Sequence, residues 1–560
     1  MERFDAAVVG SGFGASAAAC RLAQAGRRVL VLERGRAWPP GSFPRSPRGL
    51  SQNLWDPPSG LYGMFDVWAF GRMESVVSSG LGGGSLIYAN VSLRKDPAWF
   101  QEDSPGEPSR PWPVTYDDLE PYYEAAEVML GVQRYPFATE PYSATPKTRA
   151  MQDAASRLGL DWLLPPLAVT FATAGRPAAP GETIVEEHPN LHGAARRTCR
   201  LCGECDVGCN DGSKNTLDYN YLSRAKDAGA EIRTLAEVRR IEPASPSGYL
   251  VEYRKHDIGR RPGDPPETAE VIADRLVLGA GTFGTTYLLL RNRSAFPALS
   301  PALGTRFSGN GDLLTFFRSR ARSRARDGGR QPRPFDPELG PVITSAVRMP
   351  DSLDGNGEVG RGFYIEDGGN PSFLDWFVQA GSAPSVVARA AEFGARRLAA
   401  HLRGRPRSHI SRDVSKLFGG GVPSATMIPM LCMGRDVPNG KMSLRHGDLA
   451  VDWDASASTA YYDRVERVLS EMACVLGAKL ANTPLRLFQK AITVHPVGGV
   501  PMGADPSTGV VDALGEVFHY PGLYVVDGSV MPGPVGPNPS LTIAAFAERA
   551  AAHMVGAAVR

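Results

Sequence analysis

Three polar residues in the last part of the chain sit where side chains can do chemistry. His495 lies in TVHPVGGVPMG, where an apolar run followed by Pro496 and glycines fixes an imidazole at a strand-to-loop transition. Asp527 closes the apolar run LYVV, and Asn538 stands in a proline-glycine loop just before the helical pattern that begins at Ser540. Loop-borne polar groups on a rigid scaffold are a usual place for binding and catalysis. A histidine that titrates near neutrality suits proton transfer. A lone histidine is more often a structural residue, and it is the setting of His495 that favours a functional one.

A second group is Cys199, Cys202, Cys205 and Cys209, whose spacing C-x2-C-x2-C-x3-C matches one pattern of iron–sulfur ligation. No proline follows Cys209, and the other cysteines, Cys20, Cys432 and Cys474, stand alone. Buried structural thiols or disulfides are the favoured alternative to a metal site.

These groups need a scaffold, and Ala6 to Gly35 supplies its signature. A buried-strand run, Ala6 to Val9, feeds a glycine loop, an alanine-rich helix ending near Gly26, and a second apolar strand from Val29 to Leu32, closed by Glu33. Gly10 permits the tight turn, Gly12 lets backbone approach a pyrophosphate, and Ala15 is small enough for close helix–strand packing. The helix N-terminus then presents unpaired N–H groups to phosphate, and Glu33 reaches ribose hydroxyls. An acidic residue there disfavours a 2′-phosphate. NAD and FAD both remain open.

Further glycine turns extend this reading. Ser79 to Val91, SGLGGGSLIYANV, places Gly82, Gly83 and Gly84 before an expected apolar strand, so that backbone can lie against a flat or phosphorylated ligand; a surface turn is the plainer alternative. Ala228 to Val238 reads as another strand of the nucleotide sheet, and Ala273 to Leu278 runs into a strand-to-helix turn with Gly279, Gly281 and Gly284. Thr115 or Asp117 can cap a packing helix that ends at Gly131. Residues between about 93 and 200 therefore look inserted.

The 560 residues carry 42% apolar and 21% charged side chains, the composition of a globular enzyme with ample core. Length alone suggests three or four domains, or fewer interleaved ones. A net charge of +2 argues against nucleic acid as the main partner. No run of 18 apolar residues predicts a spanning helix. The first strand begins so near Met1 that no secretory signal is expected, and the expected compartment is the cytoplasm. Arg318, Arg320, Arg322, Arg324 and Arg326 alternate in a way that suits a solvated edge or, less simply, an anionic surface. Ser385 to Arg405 has a basic amphipathic pattern that would either lie on a membrane interface or pack on its own domain.

Taken together, GSGFGAS…VLERG, GLGGGSLIYAN, WPVTYDDLEPYY, GAGTFGTTYLL, HPVGG and LYVVDGSVMPG…NPSLTIAAFAER span Val8 to Arg549. In these pieces and their order the chain resembles the glucose–methanol–choline (GMC) flavoprotein oxidoreductases. Asn538, where many alcohol-oxidising relatives carry a second histidine, and the cysteine cluster with KNTLDYNYL make it similar to the cholesterol oxidase-like branch. Tyr88 departs from the family's usual Asn or His, and Asn90 follows two residues later.

The resemblance implies FAD rather than NAD. It implies an α/β fold in which a Rossmann-like FAD-binding domain (1–92, 200–310 and 480–560) is interleaved with an α+β substrate domain on an antiparallel sheet (93–199 and 311–479). The implied cofactor contacts are Gly10, Gly12, Phe13, Gly14, Ala15, Glu33, Gly82, Gly83, Gly84, Ser85, Tyr88, Asn90, Val238, Gly279, Asp527, Gly528 and Pro539. The implied catalytic set is His495, Asn538 and Glu366; the glutamate in GFYIEDGG is promoted by the resemblance alone. His495 and Asn538 would hold a bulky apolar alcohol, sterol-like for preference, while a base takes its proton and hydride passes from the carbinol carbon to flavin N5. The electron acceptor would be oxygen or, in a dehydrogenase for another ring or fatty alcohol, a different carrier, reached through an iron–sulfur centre at the cysteines. A non-redox flavin protein, a lyase or a membrane-docking binder, is the alternative of another class.

Overall fold

The computed structural model describes residues 1–71, 73–102, 109–259, 267–319, 335–357, 359–369, 427–482 and 491–556. Its main sheet begins with Glu2–Val9, which pairs in parallel with Val29–Leu32 on one side and Glu267–Leu278 on the other. Glu231–Arg233 extends it beyond Val29–Leu32, also in parallel. Ala6 to Val9 and Val29 to Leu32 are unbroken apolar runs because both faces of a parallel sheet are covered.

Glu267–Leu278 changes neighbours along its length. Its first residues pair antiparallel with Tyr249–Lys255, which forms a hairpin with Ala236–Pro243. Its last three, Leu276 to Leu278, pair in parallel with Leu523–Val525. The two ends of the chain are thereby joined in one sheet. The single strand expected over Ala228 to Val238 is two strands, since Leu235 takes a φ of 57° and turns the chain between them.

Helix Phe13–Gln24 buries Ala15, Ala17, Ala18 and Ala19 completely. These small side chains let the sheet, helix Tyr221–Asp227 and helix Ser540–Val555 all approach it closely. The last helix runs on to Val555, with Ala550, Ala551 and Met554 still buried. Glu548 itself, nearly inaccessible, is held by Arg21 at 2.6 Å and by the Tyr221 hydroxyl. Helix Tyr116–Met129 starts with a capping box between Thr115 and Asp118, and its Tyr123 hydroxyl meets Thr542 Oγ1 at 2.9 Å. Thr115 is thus the cap.

The glycine stretch near Gly82 departs from expectation. Gly82 and Gly83 take φ values of 109° and 52°, and Gly83–Leu86 forms a 3-10 turn instead of leading into a strand.

A second, six-stranded sheet is antiparallel throughout, in the order Asp161–Leu163, Ala346–Met349, Phe363–Asp367, Met427–Gly434, Leu313–Ser319, Ala478–Asn482. Alternation places Phe317, Val347, Phe363, Ile365, Ile428, Met430 and Cys432 in one core with helices Pro146–Leu158 and Thr459–Val475. Leu314, Glu366 and Leu431 alternate onto the other face.

Among the described residues no helix is long and apolar enough to cross a membrane. Arg318 is an exposed residue of strand Leu313–Ser319. Arg320, Arg322, Arg324, Arg326 and the segment 385–405 lie outside the described residues.

Candidate active site

Several elements end around one cavity of about 710 Å³. The loop between Glu2–Val9 and helix Phe13–Gln24 contributes Gly10, Gly12, Phe13 and Gly14. Gly14 lies so close to the far end of the chain that an added Cβ would sit 1.7 Å from the Val526 carbonyl oxygen. Gly12, at the helix N-cap, is different: an added Cβ would meet no protein atom within 4 Å, because that side faces the cavity. First-turn N–H groups of a helix have no intrahelical acceptor, so this opening is built for an anion.

Glu33 ends the second strand, fully buried, and accepts hydrogen bonds from Ser11 Oγ (2.6 Å) and the Gly35 amide (2.8 Å). Burial raises its pKa against those bonds. Asp527 ties the C-terminal strand to the helix Gly281–Arg291 by accepting from the Gly281 amide (2.9 Å), and from the hydroxyls of Thr285 and Ser529. Neither Ser11 nor Thr285 is marked by the sequence.

Of the residues expected at the cofactor, Gly10, Gly12, Phe13, Gly14, Glu33, Gly83, Gly84, Tyr88, Val238, Gly279, Asp527, Gly528 and Pro539 line this cavity. Ala15, Gly82, Ser85 and Asn90 do not form its wall. Ala15 is buried behind it, and Ser85 braces the glycine turn by donating to the Gly82 carbonyl at 2.7 Å. Asn90 is buried, with neither side-chain atom partnered among the described residues.

His495 and Asn538 both line the cavity, and both are near Glu366, which is hydrogen-bonded to Asn538 and feels the charge of His495. His495 Nδ1 bonds Asp312 Oδ1 at 2.8 Å, and Asp312 Oδ2 accepts from the amides of Val494 (2.7 Å) and His495 (3.0 Å) and from Thr493 Oγ1 (2.9 Å). Burial would lower the histidine pKa, but the charge and hydrogen bond of Asp312, helped by Glu366, outweigh it and the net shift is upward. Nε2 bonds none of the described residues. Asp312 is the main residue missed from sequence; it lies 183 positions from His495 in an ordinary-looking turn.

Asn538 Nδ2 donates to Glu366 Oε2 at 3.3 Å. Glu366 is wholly inaccessible, and burial, opposed by Asn538 and His495, pushes its pKa to about 8. Glu366 thus stands behind Asn538, and is not part of the cavity wall. Glu366 Oε1 and Asn538 Oδ1 are buried without a hydrogen-bond partner among the described residues. The loop carrying Asn538 is clamped from both sides. Asn310 exchanges hydrogen bonds with Gly536 and donates to the Pro537 carbonyl, while the buried Lys95 ammonium donates to the carbonyls of Pro534 and Val535.

The cysteine motif folds into a loop beside the cavity. The spacing-based expectation of a metal or iron–sulfur site at Cys199, Cys202, Cys205 and Cys209 is not met: all four are free thiols, and among the described residues no group of three or more His, Cys, Asp or Glu is placed to hold a metal ion. Burial raises the pKa of Cys199, Cys202 and Cys205. Lys214 anchors the loop, its Nζ donating to the carbonyls of Leu86 (3.0 Å), Tyr88 (2.7 Å) and Cys205 (2.8 Å).

This is a nucleotide-type α/β sheet whose glycine loops open onto a cavity lined also by a histidine–carboxylate pair and a buried amide. The open side of Gly12, the Glu33 carboxylate and the side-chain oxygen of Asn538, unpartnered among the described residues, fit FAD in that cavity. Models of the GMC oxidoreductase family match residues 190–309 and 438–547, and a model of an NAD(P)-binding Rossmann-like domain matches 8–39. A cholesterol oxidase of Mycobacterium tuberculosis is 31% identical over 98% of this chain and 90% of its own length. A cholesterol oxidase of Acinetobacter baumannii is 26% identical over 98% of this chain and 94% of its own. The solved structure of pyridoxine 4-oxidase from Mesorbium loti, 18% identical, superposes with a TM-score of 0.56 over 99% of this chain and 100% of its own, which shows the shared fold. The chain belongs to the GMC oxidoreductase family, and is an FAD-dependent oxidoreductase acting on CH–OH donors.

Proposed function

We propose that this enzyme oxidises a bulky, largely apolar secondary alcohol, sterol-like in size, to its carbonyl, with dioxygen as the electron acceptor. The reading is carried by the meeting of His495, held by Asp312, and Asn538, held by Glu366, on a cavity also walled by Leu314, Val342, Ile343 and Leu431. The two relatives named as cholesterol oxidases support the sterol and the oxygen. The two sheets support a division in which 1–92, 200–310 and 480–560 hold FAD and 93–199 and 311–479 shape the substrate site.

Bound FAD supplies the acceptor for the two electrons of the alcohol carbon. The protein's part is orientation and proton handling. Asp312 fixes the His495 ring through Nδ1 and leaves Nε2 for the substrate hydroxyl. In its neutral form Nε2 takes the hydroxyl proton, and the negative charge that builds on oxygen helps the carbinol C–H bond to break. Asn538 spends one N–H on Glu366 and keeps the other for the substrate oxygen. With a pKa near 8, Glu366 is largely neutral at pH 7 and adds little negative charge beside that oxygen.

The test is anaerobic reduction. A sterol should bleach the flavin absorbance, and readmitted oxygen should restore it with formation of peroxide. Flavin that stays reduced in air until a dye is added would instead mark a dehydrogenase. If no alcohol of a broad panel bleaches it, alcohol oxidation is the wrong chemistry.

A further inference from the structure

The cysteine loop brings to the cavity wall a carboxylate that plays no part in the chemistry above. Asp206 sits in the 3-10 turn Cys205–Val207 and lines the cavity, partly open to it. It accepts no hydrogen bond from the described residues; burial raises its pKa to about 6, against the charges of two buried lysines, Lys214 and Lys147, that favour the ionised form. Neither lysine is turned to it as a donor. The three contacts of Lys214 Nζ are the carbonyls of Leu86, Tyr88 and Cys205. Lys147 Nζ donates to the carbonyls of Pro341 and Val342 and pairs with Asp367 at 3.2 Å. Asp206 is thus left without a hydrogen-bond partner among the described residues.

An ionised carboxylate holds about four acceptor positions, and beside apolar walls they are open to water or to a donor group on a ligand. The loop is stitched to the substrate side of the cavity. Gly203 N–H donates to the Gly340 carbonyl, Gly340 N–H donates to the Leu201 carbonyl, and the Val342 amide reaches the Cys205 thiol. Val342 and Ile343, which lead into strand Ala346–Met349 of the antiparallel sheet, line the cavity with Asp206.

We propose that Asp206 is a substrate-recognition residue whose carboxylate accepts a hydrogen bond from a second donor group, a hydroxyl or an ammonium, on the alcohol being oxidised. This rests on the alcohol-oxidising reading of the site and narrows its substrate class: the substrate is apolar in bulk and carries a second polar group remote from the reacting hydroxyl. Loss of a hydrogen bond to a charged acceptor in such a setting corresponds to a change on the order of 10- to 100-fold.

The test uses the holoenzyme and matched alcohol pairs on steroid, terpenoid and aromatic skeletons, each pair differing only by one added hydroxyl or amine. The readout is the ratio of anaerobic flavin-bleaching efficiencies within a pair, for the wild type, Asp206→Asn and Asp206→Leu. In at least one pair the wild type should favour the donor-bearing member by roughly 10-fold or more. Asp206→Leu should bring that ratio to near unity, and Asp206→Asn should abolish a preference for ammonium more than one for hydroxyl. A ratio unchanged in both variants overturns the proposal, as does an altered flavin spectrum or FAD affinity with an unchanged ratio, which would assign Asp206 to the cofactor. If only a non-steroid skeleton bleaches the flavin, the sterol reading fails while the ratio within that skeleton still decides on Asp206. If no skeleton bleaches it, alcohol oxidation fails, and titration of the same pairs against the oxidised flavin spectrum gives a binding ratio that decides on Asp206 by the same criterion.

Discussion

Asp312 grips His495 twice, through the ring Nδ1 at 2.8 Å and through the histidine's own amide at 3.0 Å. One carboxylate therefore sets both the position of the ring and its tautomer.

Replacing that charge should move a pH limb. Asp312 holds the His495 pKa above its ordinary value, and Asp312→Asn removes the charge while keeping the shape. The neutral, proton-accepting imidazole should then persist to lower pH, so the acid limb of kcat/KM shifts downward. The plateau should fall on the order of 100-fold or more, as the ring loses its orientation and basicity. A profile with an unmoved limb would separate Asp312 from the chemistry.

Glu366→Gln isolates the buried carboxyl. Because its folded pKa is raised to about 8, the folded protein binds a proton that the unfolded chain releases near pH 4.5. Stability therefore declines as pH rises from about 4.5 through 8. The glutamine variant lacks this loss and should melt progressively higher than wild type as pH rises from 6 to 9. At pH 7, where the glutamate is mostly neutral, kcat/KM should change by no more than about tenfold.

The two glycines of the first loop should fail differently. Gly14→Ala forces a methyl onto the Val526 carbonyl and should cost more than about 4 kcal/mol or prevent folding. Gly12→Ala meets only the open side of the cavity and should leave the apoprotein's melting temperature nearly unchanged. Its FAD affinity should fall, as measured by flavin release on dilution.

Asn310→Ala should loosen the loop that carries Asn538, since it removes hydrogen bonds to Gly536 and Pro537. FAD content should be retained and kcat should drop about 10-fold or more, as a misplaced amide implies. A change confined to KM would argue that the loop matters only for binding.

Seven thiols should titrate in protein denatured without reductant, and anaerobically purified protein should hold no stoichiometric iron or sulfide. A brown absorbance shoulder with bound iron would reverse the structural reading of the cysteine loop.

The sequence by itself determined the features whose physics is local. The βαβ unit at Ala6 to Gly35 is legible because turn, helix N-terminus and buried strands follow one another within a short span. The apolar runs at Val29 and Leu523 announce buried parallel strands for the same reason. His495 and Asn538 were legible from their loop settings, Glu366 only through family resemblance. Tertiary structure alone decided their partners. Asp312 is 183 residues from His495 and Glu366 is 172 from Asn538, so no spacing rule links them. It also decided against the cysteine spacing: ligand order is a property of sequence, but metal binding needs side chains converging on a point, and among the described residues no such group forms. The opening of the cavity at Gly12 and the bare carboxylate of Asp206 exist only because segments far apart in the chain meet around one space.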